Sequence, residues 1–259
     1  MPNPFKYLLP GSFMLMLNIC YSQSMIKTTN YIQISQKLLY AVRTGESSEN
    51  MVSQLKLANG KELTEQLSTD SEKKAFWLNI YNAFIQKILS ENPESYKTRN
   101  SFFTRRQITI AGMALSPDDI EHGILRRSKA KWSMGYFNKL FPSGFEKNYR
   151  VDTLDNRIHF ALNCGAKSCP PIAYYSPENI NRQLELATKS YLQNESYFER
   201  EINTIYLPRI MSWFRGDFKG KKGIKKLLKE YSITENDDVN IKFKKYDWTL
   251  FLNNYRQEN

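Results

Sequence analysis

Ser71 to Pro93 reads SEKKAFWLNIYNAFIQKILSENP, and the rest of the chain is best read outward from it. Phe76, Trp77, Ile80, Tyr81, Phe84, Ile88 and Leu89 recur at helical spacing and leave little polar surface. The pattern predicts a helix from about Glu72 to Ser90, capped by Ser71 and ended by Asn92-Pro93. A helix apolar nearly all round belongs inside a core. Asn79, Asn82 and Gln86 interrupt that surface at i, i+3 and i+7, as one narrow amide stripe. Buried amides need partners. The stripe therefore meets loop backbone as a structural ladder, or it forms one wall of a polar site.

Upstream, residues 26–67 read as amphipathic helices. Ile32, Leu38, Leu39 and Val42 suit one helix, and Leu55, Leu57, Leu63 and Leu67 suit two short ones parted at Asn59-Gly60. Downstream, Gln107 to Leu115 reads as a β-hairpin around Ala111-Gly112. Ser116-Pro117-Asp118-Asp119 is a helix start, with Ser116 as cap and acids against the macrodipole. That short helix carries Glu121, His122 and Arg126. Residues 128–150 have no clear period and read as loop and short turns. Ile158 to Asn163 reads as a strand with Ile158, Phe160 and Leu162 on one face and His159, Ala161 and Asn163 on the other. It runs into a loop from Cys164 to Pro171. Ser176-Pro177-Glu178 caps a helix to about Gln193. A strand over Ile202 to Leu207, a short helix over Pro208 to Phe214 and a basic helix over Gly223 to Tyr231 follow. Val239, Ile241 and Phe243 alternate in a late strand. Helices and strands mix without strict βαβ alternation, which points to an α+β fold in a single domain with a helical lead-in.

The first 24 residues read as a signal peptide. Lys6 gives a basic start, Leu8 to Ile19 is largely apolar, and Ser22 and Ser24 fit a cut after Ser24. The expected organisation is a signal at 1–24, a helical lead-in at 25–69 and a main domain at 70–251. The expected location is periplasmic or extracellular, with a lipid anchor through Cys20 as the less favoured alternative. No later segment is apolar enough for a membrane helix. The whole chain carries 37 Lys and Arg against 26 Asp and Glu, a net charge of +11. Lysines gather over Lys219 to Lys229 and Lys242 to Lys245. This basic C-terminal region could meet an anionic envelope component, or it could be a solvated face. No nucleic-acid motif is present, and no nucleic-acid partner is expected.

Chemistry-bearing residues are few. His122 and His159 are the only histidines, and so the natural proton shuttles near neutral pH. After a cut at Ser24, Cys164 and Cys169 are the remaining cysteines. In an exported protein such a pair suggests a disulfide, which would present Lys167 and Ser168 at a strand end. One cysteine could instead be a thiolate nucleophile activated by a histidine. Zinc on two Cys and two His is a third option, but the ligands are too dispersed for a finger, so no metal is expected. No Gly-rich phosphate loop, GxSxG elbow or HExxH occurs, which counts against common NTPases, α/β-hydrolases and zinc proteases. No cofactor is expected.

Several strings recur together in order. They are Ala75–Ala83 (AFWLNIYNA), Leu115–Arg126 (LSPDDIEHGILR), Arg157–Pro171 (RIHFALNCGAKSCPP) and Tyr174–Asn179 (YYSPEN). Trp213-Phe214, Asp217-Phe218 and Tyr246–Leu250 (YDWTL) complete the series. Over roughly residues 70–251 the chain resembles the domain of unknown function 547 family. The resemblance implies an exported or envelope bacterial protein and implies no agreed reaction. The order of a buried helix and then a strand opening with His159 is also that of papain-like and transglutaminase-like cores. In those cores a Cys opens the helix, and here the helix offers only Asn79 and Asn82.

Two functional readings follow. In the first, Asn79, Asn82, Glu121, His122, His159, Cys164 and Cys169 form the catalytic set of a thiol- or His-dependent hydrolase or acyl transferase acting on peptide or amide bonds. Arg126, Asn163, Lys167 and Ser168 would bind substrate there. In the second, the protein is a non-catalytic binding or structural domain of the envelope, stapled by a Cys164–Cys169 disulfide.

Overall fold

The computed structural model describes residues 29–236 and 238–257. The expected signal peptide and the Cys20 anchor lie outside these residues. The described chain begins with three helices, α1 (Tyr31–Thr44), α2 (Glu49–Lys56) and α3 (Gly60–Gln66), parted as their sequence suggests. Leu38, Leu39, Leu55 and Leu63 turn inward, whereas Leu57 is exposed.

Their common partner is α4 (Asp70–Glu91), whose side chains are buried on nearly every face. Its start differs from expectation. Thr69, not Ser71, is the cap: its Oγ1 accepts from Glu72 N, and Glu72 Oε2 accepts from Thr69 N at 2.8 Å. This reciprocal capping box satisfies two groups that Ser71, one position into the helix, could not reach.

A 3-10 turn (Pro93–Thr98) and α5 (Arg99–Thr104) lead to the hairpin of β1 (Ile108–Ile110) and β2 (Met113–Leu115). Its two-residue turn puts Ala111 at φ 48° and Gly112 at φ 73°, as a turn matching the strand twist requires. A π-helix (Asp119–Leu125), α6 (Gly144–Tyr149) and a 3-10 helix (Asn156–Phe160) follow. Next come α7 (Ile180–Glu195), β3 (Tyr197–Glu199) and β4 (Thr204–Leu207). Last are α8 (Ile210–Trp213), α9 (Gly220–Glu230) and β5 (Asn240–Phe243). β4 is the centre of a three-stranded sheet, antiparallel to β3 and parallel to β5. A parallel neighbour needs a crossover, and α8 and α9 supply it.

The fold is therefore a single α+β domain. The described residues form two apolar clusters, one around α4 and one between α7, α8, α9 and the sheet, and Tyr246 packs on both.

The expected strand over Ile158 to Asn163 is absent. Asp155 accepts from Arg157 N at 3.1 Å and starts a 3-10 helix over Asn156–Phe160. Ala161 N and Leu162 N both donate back to Ile158 O. All six residues of the expected strand are buried, so the two-residue alternation carried no contrast between an inner and an outer face. The papain-like analogy loses the element on which it rested. The Ser176 cap is also corrected: α7 begins at Ile180, and Ser176 Oγ accepts from the Asn179 side chain instead.

Candidate functional site

The amide stripe of α4 takes the place of a strand neighbour. Asn82 Nδ2 donates to Ala161 O at 2.9 Å, and Asn82 Oδ1 accepts from Asn163 N at 2.9 Å. Asn79 repeats the pattern on Tyr175, donating to its carbonyl at 2.9 Å and accepting from its amide at 3.0 Å. Gln86 donates to Asn163 Oδ1 at 3.3 Å and accepts from Asn253 N at 2.8 Å. Asn79 and Asn82 each present one donor and one acceptor to a backbone that has no ladder, and Gln86 joins one backbone amide to the Asn163 side chain. These amides fix the path of residues 161–175 and set His159 and Cys164 in place.

Where the two apolar clusters meet lies a cavity of about 360 Å³. Its walls are largely aromatic, with Phe103, Trp213, Phe214, Tyr246 and Trp248. Among its polar lining residues are Asp118, Glu121, His122, Lys131 and His159, and Cys164 also faces it. Of the residues singled out from sequence, the structure brings Glu121, His122, His159 and Cys164 to this cavity. Arg126 and Cys169 stand behind them. Asn79, Asn82 and Asn163 are consumed by backbone contacts. Lys167 lies on the outer side of the loop, 4.0 Å from Asp247, and Ser168 Oγ accepts from Asp247 N at 2.9 Å.

The π-helix positions the first group. Ser116 Oγ accepts from Asp119 N and Asp119 Oδ2 accepts from Ser116 N, both at 3.0 Å, so Ser116 caps as expected. The chain then widens, with Arg126 N donating to Glu121 O and Ser128 N to Gly123 O, five residues back. Such π turns concentrate at functional sites. Here the turn carries Glu121, His122 and Arg126 together into the interior.

Asp217 links the two histidines through Arg126. Its Oδ2 accepts from Arg126 Nε at 2.6 Å and from His159 Nε2 at 2.8 Å. Burial pushes the Asp217 carboxyl up, but hydrogen bonds from His159 and Arg126 outweigh it and hold the group below the usual range. It is thus a carboxylate and can only accept, which puts the His159 proton on Nε2. His159 Nδ1 keeps its lone pair and has no hydrogen-bond partner among the described residues. Burial lowers the His159 pKa and Asp217 opposes this, with a net fall. The ring stacks on Phe214, centroids 4.0 Å apart. On the other side of the network, Arg126 Nη1 meets His122 Nδ1 at 2.8 Å. Burial, then the Arg126 charge, hold His122 well below its ordinary pKa.

Glu121 behaves oppositely. Burial raises its carboxyl to about 7, against the pull of Arg126. Tyr81 donates a 3.4 Å hydrogen bond to its Oε2. Asp118 is also raised by burial, with Lys131 Nζ at 2.6 Å restraining the shift. At neutral pH the cavity is therefore lined by a neutral His159 imidazole, whose Nδ1 is buried and has no partner among the described residues, and by a Glu121 carboxyl that is substantially protonated.

Cys164 and Cys169 are joined by a disulfide. In this state neither sulfur is a thiolate. Among the described residues no group of three or more His, Cys, Asp or Glu is arranged to hold a metal ion. No described helix is long and apolar enough to cross a membrane.

Asp217 and the aromatic walls were not among the candidates from sequence. Apart from Phe103, which had none, their one signal was their place in the late strings, Trp213-Phe214, Asp217-Phe218 and Tyr246-Asp247-Trp248.

A family model described as "Protein of unknown function, DUF547" matches residues 64–192. The match includes Glu121, His122, Arg126, His159 and both cysteines, and ends before Asp217 and Tyr246. Neither the curated proteins nor the solved structures give a match.

Proposed function

The chain belongs to the DUF547 family, whose description carries no reaction, and from the chemistry of the cavity we propose that it is a hydrolase of acyl or amide bonds. His159 is the general base. Its Nδ1 takes a proton from water, the water oxygen adds to the acyl carbon, and Glu121 protonates the departing nitrogen or oxygen. Asp217 holds the His159 ring and its tautomer, as the carboxylate does in a catalytic triad. His122 Nε2–H, 3.5 Å from Asp118 Oδ1 in the free protein, is the donor for the developing oxyanion. The aromatic walls favour a substrate with an apolar flank next to the scissile bond.

The single observation that carries this reading is that His159, whose buried Nδ1 has no partner among the described residues, lines the same cavity as a Glu121 raised to about 7. Matched pairs of this kind mark acid–base sites. The test is hydrolysis of a panel of chromogenic acyl esters and peptide anilides by the wild type, His159→Gln and Glu121→Gln. Turnover that falls on the order of a hundredfold or more in each variant supports it. No turnover across the panel, or wild-type rates in His159→Gln, overturns it.

Export belongs to the same proposal. The Lys6, Leu8 to Ile19 and Ser22 to Ser24 pattern supports it, and so does a disulfide, which persists in oxidising compartments. A second reading, a domain that binds an anionic envelope component, draws on α9, where Lys221, Lys222 and Lys226 are exposed. Salt-sensitive retention on an anionic polysaccharide column, lost when all three are changed to Glu, would support it. Unchanged retention would remove it.

A further inference from the structure

The loop from Cys164 to Cys169 is held in shape without its disulfide. Asn163 Oδ1 accepts from Gly165 N at 2.9 Å, and Asn163 Nδ2 donates to Pro170 O at 2.8 Å. Phe251 N donates to Gly165 O and Lys167 N to Thr249 O, both at 2.8 Å. Tyr191 OH donates to Ser168 O at 2.7 Å. Gly165 sits at φ 85°, and a Cβ there would lie 2.7 Å from Leu89 Cδ1, so the backbone packs directly on α4. A cross-link over so short a loop is also the least stabilising kind, because it removes little freedom from the unfolded chain. The bond is thus weakly explained as a staple.

The two sulfurs stand in different settings. Cys164 is half-buried and lines the cavity, whereas Cys169 is buried behind it. Cys169 Sγ accepts from Cys164 N at 3.0 Å and from Ala166 N at 3.3 Å. Tyr246 OH lies 3.2 Å from each sulfur. A disulfide sulfur carries no hydrogen, so the hydroxyl is the donor. Three donors therefore surround the inner sulfur, and their bonds strengthen when it gains negative charge. That is the environment of a good leaving thiolate.

We propose that Cys164–Cys169 is a redox-active disulfide that exchanges with a small-molecule thiol entering through the cavity. The thiolate attacks Cys164 Sγ. A new sulfur–sulfur bond forms to Cys164, the Cys164–Cys169 bond breaks, and its electron pair leaves on Cys169. A second small thiolate attacks the outer sulfur of the mixed disulfide and releases Cys164. Two small thiols are oxidised to one disulfide, the protein disulfide is reduced to two thiols, and the two thiol protons pass to them. The reverse sequence reduces a small disulfide. The proposal is independent of the hydrolytic reading, since it uses neither histidine.

The test treats the native chain with reduced glutathione, followed by acid quenching, alkylation and mass spectrometry. The expected result is complete reduction at a rate no slower than in denaturant, with an unchanged circular dichroism spectrum. Tyr246→Phe keeps the ring packing and slows native reduction roughly three- to tenfold, by loss of one hydrogen bond. With glutathione disulfide as probe, Cys169→Ser takes up glutathione on Cys164, and Cys164→Ser takes up none on Cys169. A disulfide that resists reduction until the chain unfolds overturns the proposal, as does glutathione captured on Cys169.

Discussion

Arg126, the C-cap of the π-helix, donates from Nη1 to Nδ1 of His122 across 2.8 Å, four residues back. A guanidinium has no acceptor, so His122 Nδ1 must be the bare nitrogen and its proton sits on Nε2. Asp118 Oδ1, 3.5 Å away, faces that proton. The expected nitrogen-15 spectrum shows both histidines as neutral Nε2–H tautomers at pH 7. His122 stays neutral well below pH 6.5, its ordinary midpoint. An imidazolium signal for His122 at pH 6.5 would contradict the arrangement.

The hydrolysis rate should have a bell-shaped pH dependence. The acid limb reports protonation of His159, whose pKa burial has lowered below 6.5. The alkaline limb reports loss of the Glu121 proton at about 7. Activity therefore peaks on the acid side of neutrality and falls on both sides. In Glu121→Gln the residual rate keeps the acid limb and loses the alkaline one. An alkaline limb that persists in that variant assigns the acid elsewhere.

Arg126 and Asp217 are both fully buried, and each answers the other's charge. Arg126→Met leaves a buried carboxylate with only His159 as partner, and should cost about 3–5 kcal/mol in denaturant unfolding. The double variant Arg126→Met/Asp217→Leu removes the stranded charge and should recover part of that loss. A double variant no more stable than the single one would show that the pair is not energetically coupled.

Asn82 supplies both hydrogen bonds that a missing strand would give to residues 161–163. Asn82→Leu keeps the helix and the volume but leaves a buried carbonyl and a buried amide unpaired. The expected cost is roughly 2–6 kcal/mol, from about one to three per stranded group. Equilibrium urea unfolding measures it, and a loss under about 1 kcal/mol would mean that other groups satisfy that backbone.

Asp155 ties the start of the 3-10 helix to α4. Its carboxylate binds Lys74 Nζ at 2.9 Å, Arg157 Nε at 2.9 Å and Arg157 Nη2 at 2.8 Å. Burial pushes the group up, but the Arg157 hydrogen bonds and the Lys74 and Arg157 charges bring it down to about 2. A depressed carboxyl stabilises the fold above its unfolded pKa of about 3.9, and that contribution is lost as pH falls toward about 2. The contribution at neutral pH is roughly 2–3 kcal/mol. Melting temperature followed from pH 7 to pH 2 should show a steep acid loss that is shallower in Asp155→Asn.

What could be read from the chain was whatever had a local cause. The apolar run of α4, the Ala111-Gly112 turn and the Ser116 cap each follow from neighbours within a few residues. The amide stripe was legible as a set of buried groups in need of partners, though not which partners. Residues 158–163 misled because both faces are buried, and alternation distinguishes faces only when one meets water. The Thr69 cap competed with Ser71 two positions on, and only the Glu72 return bond decides between them. Asp217 joins Arg126 from 91 residues away. No periodicity reports a pairing of that range.

The same long reach governs how the chain can assemble. Asn79 waits for Tyr175, Asn82 for Asn163, and Gln86 for Asn253, which follows it by 167 residues. Until those segments have been made, α4 carries amides that only water can satisfy, and its burial stays incomplete. Contacts of such sequence separation close late and slowly. On a ribosome, α1 to α4 would emerge as a loosely docked bundle, and the cavity would be completed only after synthesis of the segment from Tyr246 to Asn253. The helix that organises the interior is thus among the last elements to be fully sealed.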